Sequence, residues 1–170
     1  RNLLYALVKL RAGRPGIKLK IAGRPIDKGY FDSLRKIVKR QGLHEQVEFM
    51  GQVSPDELAG LYRRCAVFVF PSSIETFGNP LVEAMASGAP IASSNSAAMP
   101  EVVGDAALFF DPADVDGMAA ALDRLLKDAE LRRGLGARAL ANSGDFSWPK
   151  TAARTLDVLK EAAQRPSPGR

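Results

Sequence analysis

The order of apolar runs, turn residues and helical periodicities predicts an α/β domain: a parallel sheet with helices on both faces. Three observations carry the prediction. Short apolar runs such as Ala66-Val-Phe-Val-Phe70 alternate with amphipathic stretches long enough to cross back over a sheet. Glycines close two of the runs, at Gly23 and Gly51. Helix-start signals recur after them, as in Ser54-Pro55-Asp56-Glu57, where a capping box coincides with proline at the first helical position.

Taken in order, a helix opens at about Asn2, and Ile17 to Ala22 reads as a strand. Tyr30 to Gln41 is helical and stops at Gly42. Its apolar residues fall at helical spacing, while Arg35, Lys36, Lys39 and Arg40 form a solvated face. Val47 to Met50 is a strand, and the helix after Ser54 presents Leu58, Leu61 and Tyr62. Residues 66–70 form a strand followed by a helix from Pro80 to Ser87, with Asn79 as N-cap and Gly88 as left-handed terminator. Strands at Pro90 to Ser93 and Ala107 to Phe110 come next. Asp114 caps a helix carrying Met118, Leu122, Leu125 and Leu126, Glu130 to Ala141 is helical, and a last helix runs from Trp148 to Gln164. Trp148 is expected to anchor packing, and residues 165–170 to be frayed.

The 170 residues make one domain, 1–164, with ample core. Composition, at 46% hydrophobic and 25% charged, argues against disorder. No apolar run approaches membrane-spanning length, so a soluble domain is expected. The lone Cys65 excludes an internal disulfide and suggests a reducing, cytoplasmic compartment, with the residue itself in the core. Net charge is +5, and residues 1–85 hold 14 Lys/Arg against 8 Asp/Glu. That basic half admits a peripheral membrane contact or a polyanion, although nucleic acid is not expected as a partner. His44 has no partner cluster and reads as a surface residue. Asp114 and Asp116 open a helix, where acidic side chains belong electrostatically, so no metal is assigned to them. Glu101 reads as the cap of a short helix.

The chemistry concentrates in Pro71-Ser-Ser-Ile-Glu75-Thr-Phe-Gly-Asn-Pro-Leu-Val-Glu83. A helix start directly after a strand offers unpaired amides and the positive end of the helix dipole, which suits a phosphate. Gly78 lets a ligand approach the backbone. Glu75 in the loop and Glu83 one turn into the helix are acceptors, suited to hydroxyls. A diphosphate with hydroxyl-bearing groups at both ends, as in a nucleotide sugar, meets both demands. Gly23-Arg24, Gly51 to Val53 and Ser94-Asn95-Ser96 also follow strands and should share the same rim.

Glu75, seven residues, then Glu83, set in PSSIETFGNPLVEAMASGAPI and followed by SNSAAMPEVVGDAALFFDP, resembles the donor-binding half of retaining GT-B glycosyltransferases of family 4, the glycosyl transferases group 1. Ile21-Ala-Gly23, Val47-Glu-Phe-Met-Gly51 and Phe146-Ser-Trp148 follow in the family's order. The resemblance implies a Rossmann-like C-terminal domain that binds a UDP-, GDP- or ADP-sugar and works without a cofactor or metal. It implies that Glu75 contacts the donor sugar and Glu83 the ribose hydroxyls. Phe77, Gly78, Asn79 and Leu81 would hold sugar and diphosphate through backbone donors, and the turn at Val53 would meet the base. Arg1 resembles a basic residue just ahead of the first helix. The family's first, central strand, a glycine and basic loop, and the acceptor-binding N-terminal domain have no counterpart in the chain. A fragment is therefore expected, inactive alone, whose sheet is completed from outside or by association of chains. The alternative is a non-catalytic module for a nucleotide or polyanion. A dinucleotide oxidoreductase is disfavoured, because GxGxxG after a first strand is not found.

Overall fold

The computed structural model describes residues 1–164, so the tail expected to fray lies outside the described residues. Among the described residues five helices alternate with five strands and three more helices follow: α1 Asn2–Gly13, β1 Leu19–Ala22, α2 Lys28–Arg40, β2 Val47–Gly51, α3 Pro55–Arg64, β3 Phe68–Phe70, α4 Asn79–Ala86, β4 Ile91–Ser94, α5 Met99–Val103, β5 Ala107–Phe110, then α6 Val115–Lys127, α7 Ala129–Ser143 and α8 Trp148–Gln164. Every strand pair is parallel.

The faces are assigned by the two-residue period of β4 and β5. Ile91 and Ala107 pack with Leu81, Met85, Met99 and Val103 on one side of the sheet. Ala92 and Phe110 pack with Ala6, Leu10, Met118, Leu122 and Leu125 on the other. All four residues of β4 are buried, as a central strand covered on both faces requires. A third cluster of Leu4, Leu7, Val38, Leu43 and Val47 fills the space between α1, α2 and the first two strands.

The sheet is split. β1 pairs with β2, β3 with β4 and β4 with β5, while β1 and β3 share no ladder. Helix α1 lies across the divide, giving Leu4 and Leu7 to one cluster and Ala6 and Leu10 to another.

Boundaries shift for local reasons. The Ile17 amide closes a turn onto the Arg14 carbonyl at 3.0 Å, so β1 starts two residues later than the apolar run suggests. The Asp27 carboxylate accepts from the Tyr30 amide at 2.9 Å and starts α2 at Lys28. β3 begins only at Phe68, whose amide reaches the Pro90 carbonyl at 2.8 Å. Trp148 is no packing anchor: it is 87% exposed, and α8 buries none of its residues.

Candidate functional site

The carboxyl end of β3 delivers the chain to loop 71–78, and its neighbour β4 holds the loop in place. Buried Ser94, the last residue of β4, donates its hydroxyl to the Ser72 carbonyl at 2.5 Å. The Ser72 hydroxyl lies 3.1 Å from both the Ile74 carbonyl and Glu75 Oε1. Half-buried Glu75 is thereby tied to the loop by one oxygen.

Gly78 is the N-cap of α4, which corrects the assignment of that role to Asn79. Its φ of 83° is left-handed, and a Cβ there would stand 3.2 Å from Leu81 Cδ1 and 3.4 Å from Phe70 Cε1. Only glycine meets both demands without strain. Because the Gly78 carbonyl already accepts from the Leu81 amide at 2.8 Å, the helix is entered one residue early and Asn79 falls inside it. The same bond engages the Leu81 amide, and the Leu81 side chain is fully buried. Leu81 is therefore a packing residue that closes the turn. Among the described residues, the amides of Phe77, Gly78 and Asn79 carry no hydrogen bond, at the positive end of the α4 dipole. Phe77 is steadied by an edge contact with Phe146, with ring centroids 5.6 Å apart.

Glu83 projects from the second turn of α4 and is exposed. Its Oε2 accepts from the Tyr62 hydroxyl at 3.1 Å. Tyr62 is 6% exposed, with its ring edge-on to Phe68 at 5.1 Å. Burial first, and then the Glu83 charge, push the phenol well above the ordinary tyrosine range, so it remains a proton donor.

Other predicted residues follow the strands of the β1-β2 sheet. Gly23 and Gly51, both at positive φ, end β1 and β2, and the Gly23 amide donates to the Gly51 carbonyl at 2.8 Å. Val53 follows half-buried. A cavity of about 490 Å³ is lined by Arg1, Asn2, Tyr30, Pro71, Ser73 and Pro112 among others, so Arg1 and the start of loop 71–78 share one space. The Arg1 guanidinium sits over the Tyr30 ring, 5.5 Å from its centroid. Neither Glu75 nor Glu83 lines that cavity.

Several residues stay outside the site. Asp114 caps α6, accepting from the Asp116 and Gly117 amides at 2.9 and 3.0 Å, and Asp116 pairs with Lys9 at 2.8 Å. Glu101 lies in the first turn of α5 but makes no side-chain cap, since Ala98 occupies the N-cap. His44 is exposed. Cys65 is half-buried against the core, and burial raises its thiol above the usual range. Sequence reasoning missed Tyr62, Ser72 and Ser94 as supports of the two glutamates. The available signal was polarity in an apolar setting: a tyrosine on the buried face of α3 and a serine at the end of a buried strand both need hydrogen-bond partners.

Parallel strands clothed by helices, with an open helix start and two supported carboxylates beyond the carboxyl end of β3, define a Rossmann-like α/β class of domain. The chain belongs to the glycosyl transferases group 1 family, whose model matches residues 1–141. It is 39% identical over 129 residues to O-antigen chain mannosyltransferase B of Escherichia coli, covering 76% of this chain and 34% of that protein. It is 36% identical over 168 residues to MMP alpha-(1->4)-mannosyltransferase of Mycolicibacterium hassiacum, covering 96% of this chain and 40% of that one. The crystal structure of Anabaena HepE in complex with UDP and glucose superposes with a TM-score of 0.85 at 22% identity, over 94% of this chain and 44% of that chain. The fold is thus that of a GT-B C-terminal domain, and the chain spans 34% and 40% of the length of these two curated relatives. Among the described residues, no helix is long and apolar enough to cross a membrane.

Proposed function

We propose that this chain is the donor-binding domain of a retaining, metal-independent hexosyltransferase that takes a nucleoside diphosphate sugar. The observation that carries the reading is the start of α4. Three unengaged amides, at Phe77, Gly78 and Asn79, stand between two carboxylates that the fold supports separately, Glu75 through Ser72 and Glu83 through Tyr62. Amides at a helix start bind the diphosphate, and carboxylates accept from hydroxyls. Glu75 orients the sugar and Glu83 the ribose, while Gly23, Val53 and Arg1 complete the rim. The mannosyltransferase relatives and the UDP-bound structural neighbour support a hexose on a nucleotide carrier.

In the reaction, the bond from the anomeric carbon to the diphosphate oxygen breaks as a bond to the acceptor oxygen forms. Negative charge grows on the departing diphosphate, where the α4 dipole and the aimed amides stabilise it, with no metal required in this scheme. Neither glutamate needs to carry a proton. The acceptor and any acid or base that serves it are assigned to a partner domain.

A second reading rests on α2. Arg35, Lys36, Lys39 and His44 ring a groove of about 450 Å³ floored by Val38, Val47 and Phe49, with Asp32 the one acidic residue in its lining. Such a surface suits a polyanion or an acidic membrane. Calorimetric titration with UDP, GDP and ADP separates the two. The donor-site reading expects selective binding that Glu83→Ala weakens about ten- to a hundredfold, the worth of a hydrogen bond to a charged group. Binding that is indifferent to Glu83→Ala and falls steeply with salt would favour the polyanion groove.

A further inference from the structure

We infer that Tyr62 is a positioning residue for ribose recognition: its hydroxyl aims the Glu83 carboxylate and thereby sets the site's preference for a ribonucleotide over its 2′-deoxy counterpart. The inference rests on the donor-site reading and adds to it a residue on a different helix.

Glu83 is exposed, and a solvent-facing glutamate samples several rotamers whose restriction costs conformational entropy. A site that depends on its carboxylate gains from having that restriction in place before the ligand arrives. Tyr62 is built to provide it. Its ring is buried and locked edge-on against Phe68. Its helix is fixed at the start by a reciprocal cap, in which the Ser54 amide donates to Glu57 Oε2 at 2.9 Å and the Glu57 amide donates to Ser54 Oγ at 3.3 Å. The phenol ends at Glu83 Oε2, 3.1 Å away, and no other side-chain hydrogen bond of either residue exists among the described residues.

The consequence is geometric. With Oε2 occupied by a donor that does not titrate in the working range, Oε1 is left as the free acceptor. A ribose offers hydroxyl donors, and an acceptor in a fixed place discriminates by their number and position. Removing the 2′-hydroxyl removes a donor that a pre-aimed carboxylate is placed to meet, whereas a carboxylate free to swing distinguishes the two sugars poorly. Tyr62 need not touch the ligand to have this effect.

The test compares the full wild-type chain with Tyr62→Phe and Glu83→Ala. Kd is measured calorimetrically for UDP, GDP and ADP and for the 2′-deoxy form of each. Tyr62→Phe keeps the ring and its contact with Phe68 while deleting only the hydroxyl. The expected result is an affinity for the preferred ribonucleotide lowered about two- to tenfold, an unchanged affinity for the deoxy form, and therefore a narrowed ratio. If Glu83→Ala abolishes the ratio and Tyr62→Phe preserves it, the donor site stands and the inference falls. An equal loss for both ligands in Tyr62→Phe would assign the tyrosine a packing role alone and overturn the inference. A ratio that survives Glu83→Ala, or wild-type protein that binds none of the six ligands, would overturn the donor-site reading and this inference together.

Discussion

Gly78 serves three purposes at once. It turns the backbone left-handed between the loop and α4, accepts from Leu81, and leaves Phe77, Gly78 and Asn79 with open amides. Gly78→Ala would bring a Cβ to 3.2 Å from the Leu81 side chain and impose a conformation that L-residues adopt at about 1–2 kcal/mol. We therefore expect urea denaturation to show a loss of about 1–2 kcal/mol, accompanied by a weaker nucleoside diphosphate affinity. Full affinity at reduced stability would separate the glycine's structural part from the anion site. The two glutamates were legible in the sequence because their spacing around a glycine and a helix start is local chemistry. Their supports were not, since the Tyr62–Glu83 and Ser94–Ser72 bonds join residues 21 and 22 positions apart, on elements whose apposition only the fold decides.

At the scale of elements, α7 braces the site helix from behind. A Cβ on Gly136 would stand 2.5 Å from the Gly88 carbonyl oxygen, so α7 reaches the turn that ends α4 at backbone distance. Gly134 lies in the same helix, with only the flexible end of Arg138 nearby, at 3.9 Å. The two positions should respond with opposite signs. Gly134→Ala is expected to stabilise the chain by about 0.5–1 kcal/mol through lower unfolded-state entropy and better helix propensity. Gly136→Ala should destabilise it by about 1–3 kcal/mol, as overpacking against rigid backbone does. Thermal melts of the pair check this, and a stabilising Gly136→Ala would show that α7 can slide. Element order and type followed from periodicity and caps, and the β5 span and the start of α8 agree with the apolar pattern to the residue. The misplacement of Asn79 and the early start of α2 have one cause: which residue caps a helix depends on the dihedral angles of the approaching chain, and neighbouring Gly, Asn and Asp side chains all satisfy the sequence rule. Trp148 misled for another reason, because large apolar residues signal burial without saying against what.

At the scale of the whole molecule, the division of the sheet sets the distribution of stability. β4 is buried on both faces between two paired neighbours, whereas β1 and β2 form a two-stranded sheet whose exposed face carries Lys20 and Glu48, a surface ion pair worth little. Hydrogen exchange should accordingly protect the amides of Ile91–Ser94 more strongly than those of Leu19–Ala22. Equal protection would mean that α1, lying across both parts, makes them one cooperative unit. The last consequence concerns where the domain stops. The matched family stretch closes at residue 141, yet the ring that meets Phe77 belongs to Phe146, beyond that boundary and two residues ahead of the exposed α8. The short link between α7 and α8 is thus a splint on loop 71–78. Trimming the chain at residue 141 would keep every described strand and both glutamates while leaving the Phe77 ring without its neighbour, so the structural unit is longer than the stretch the family model matches.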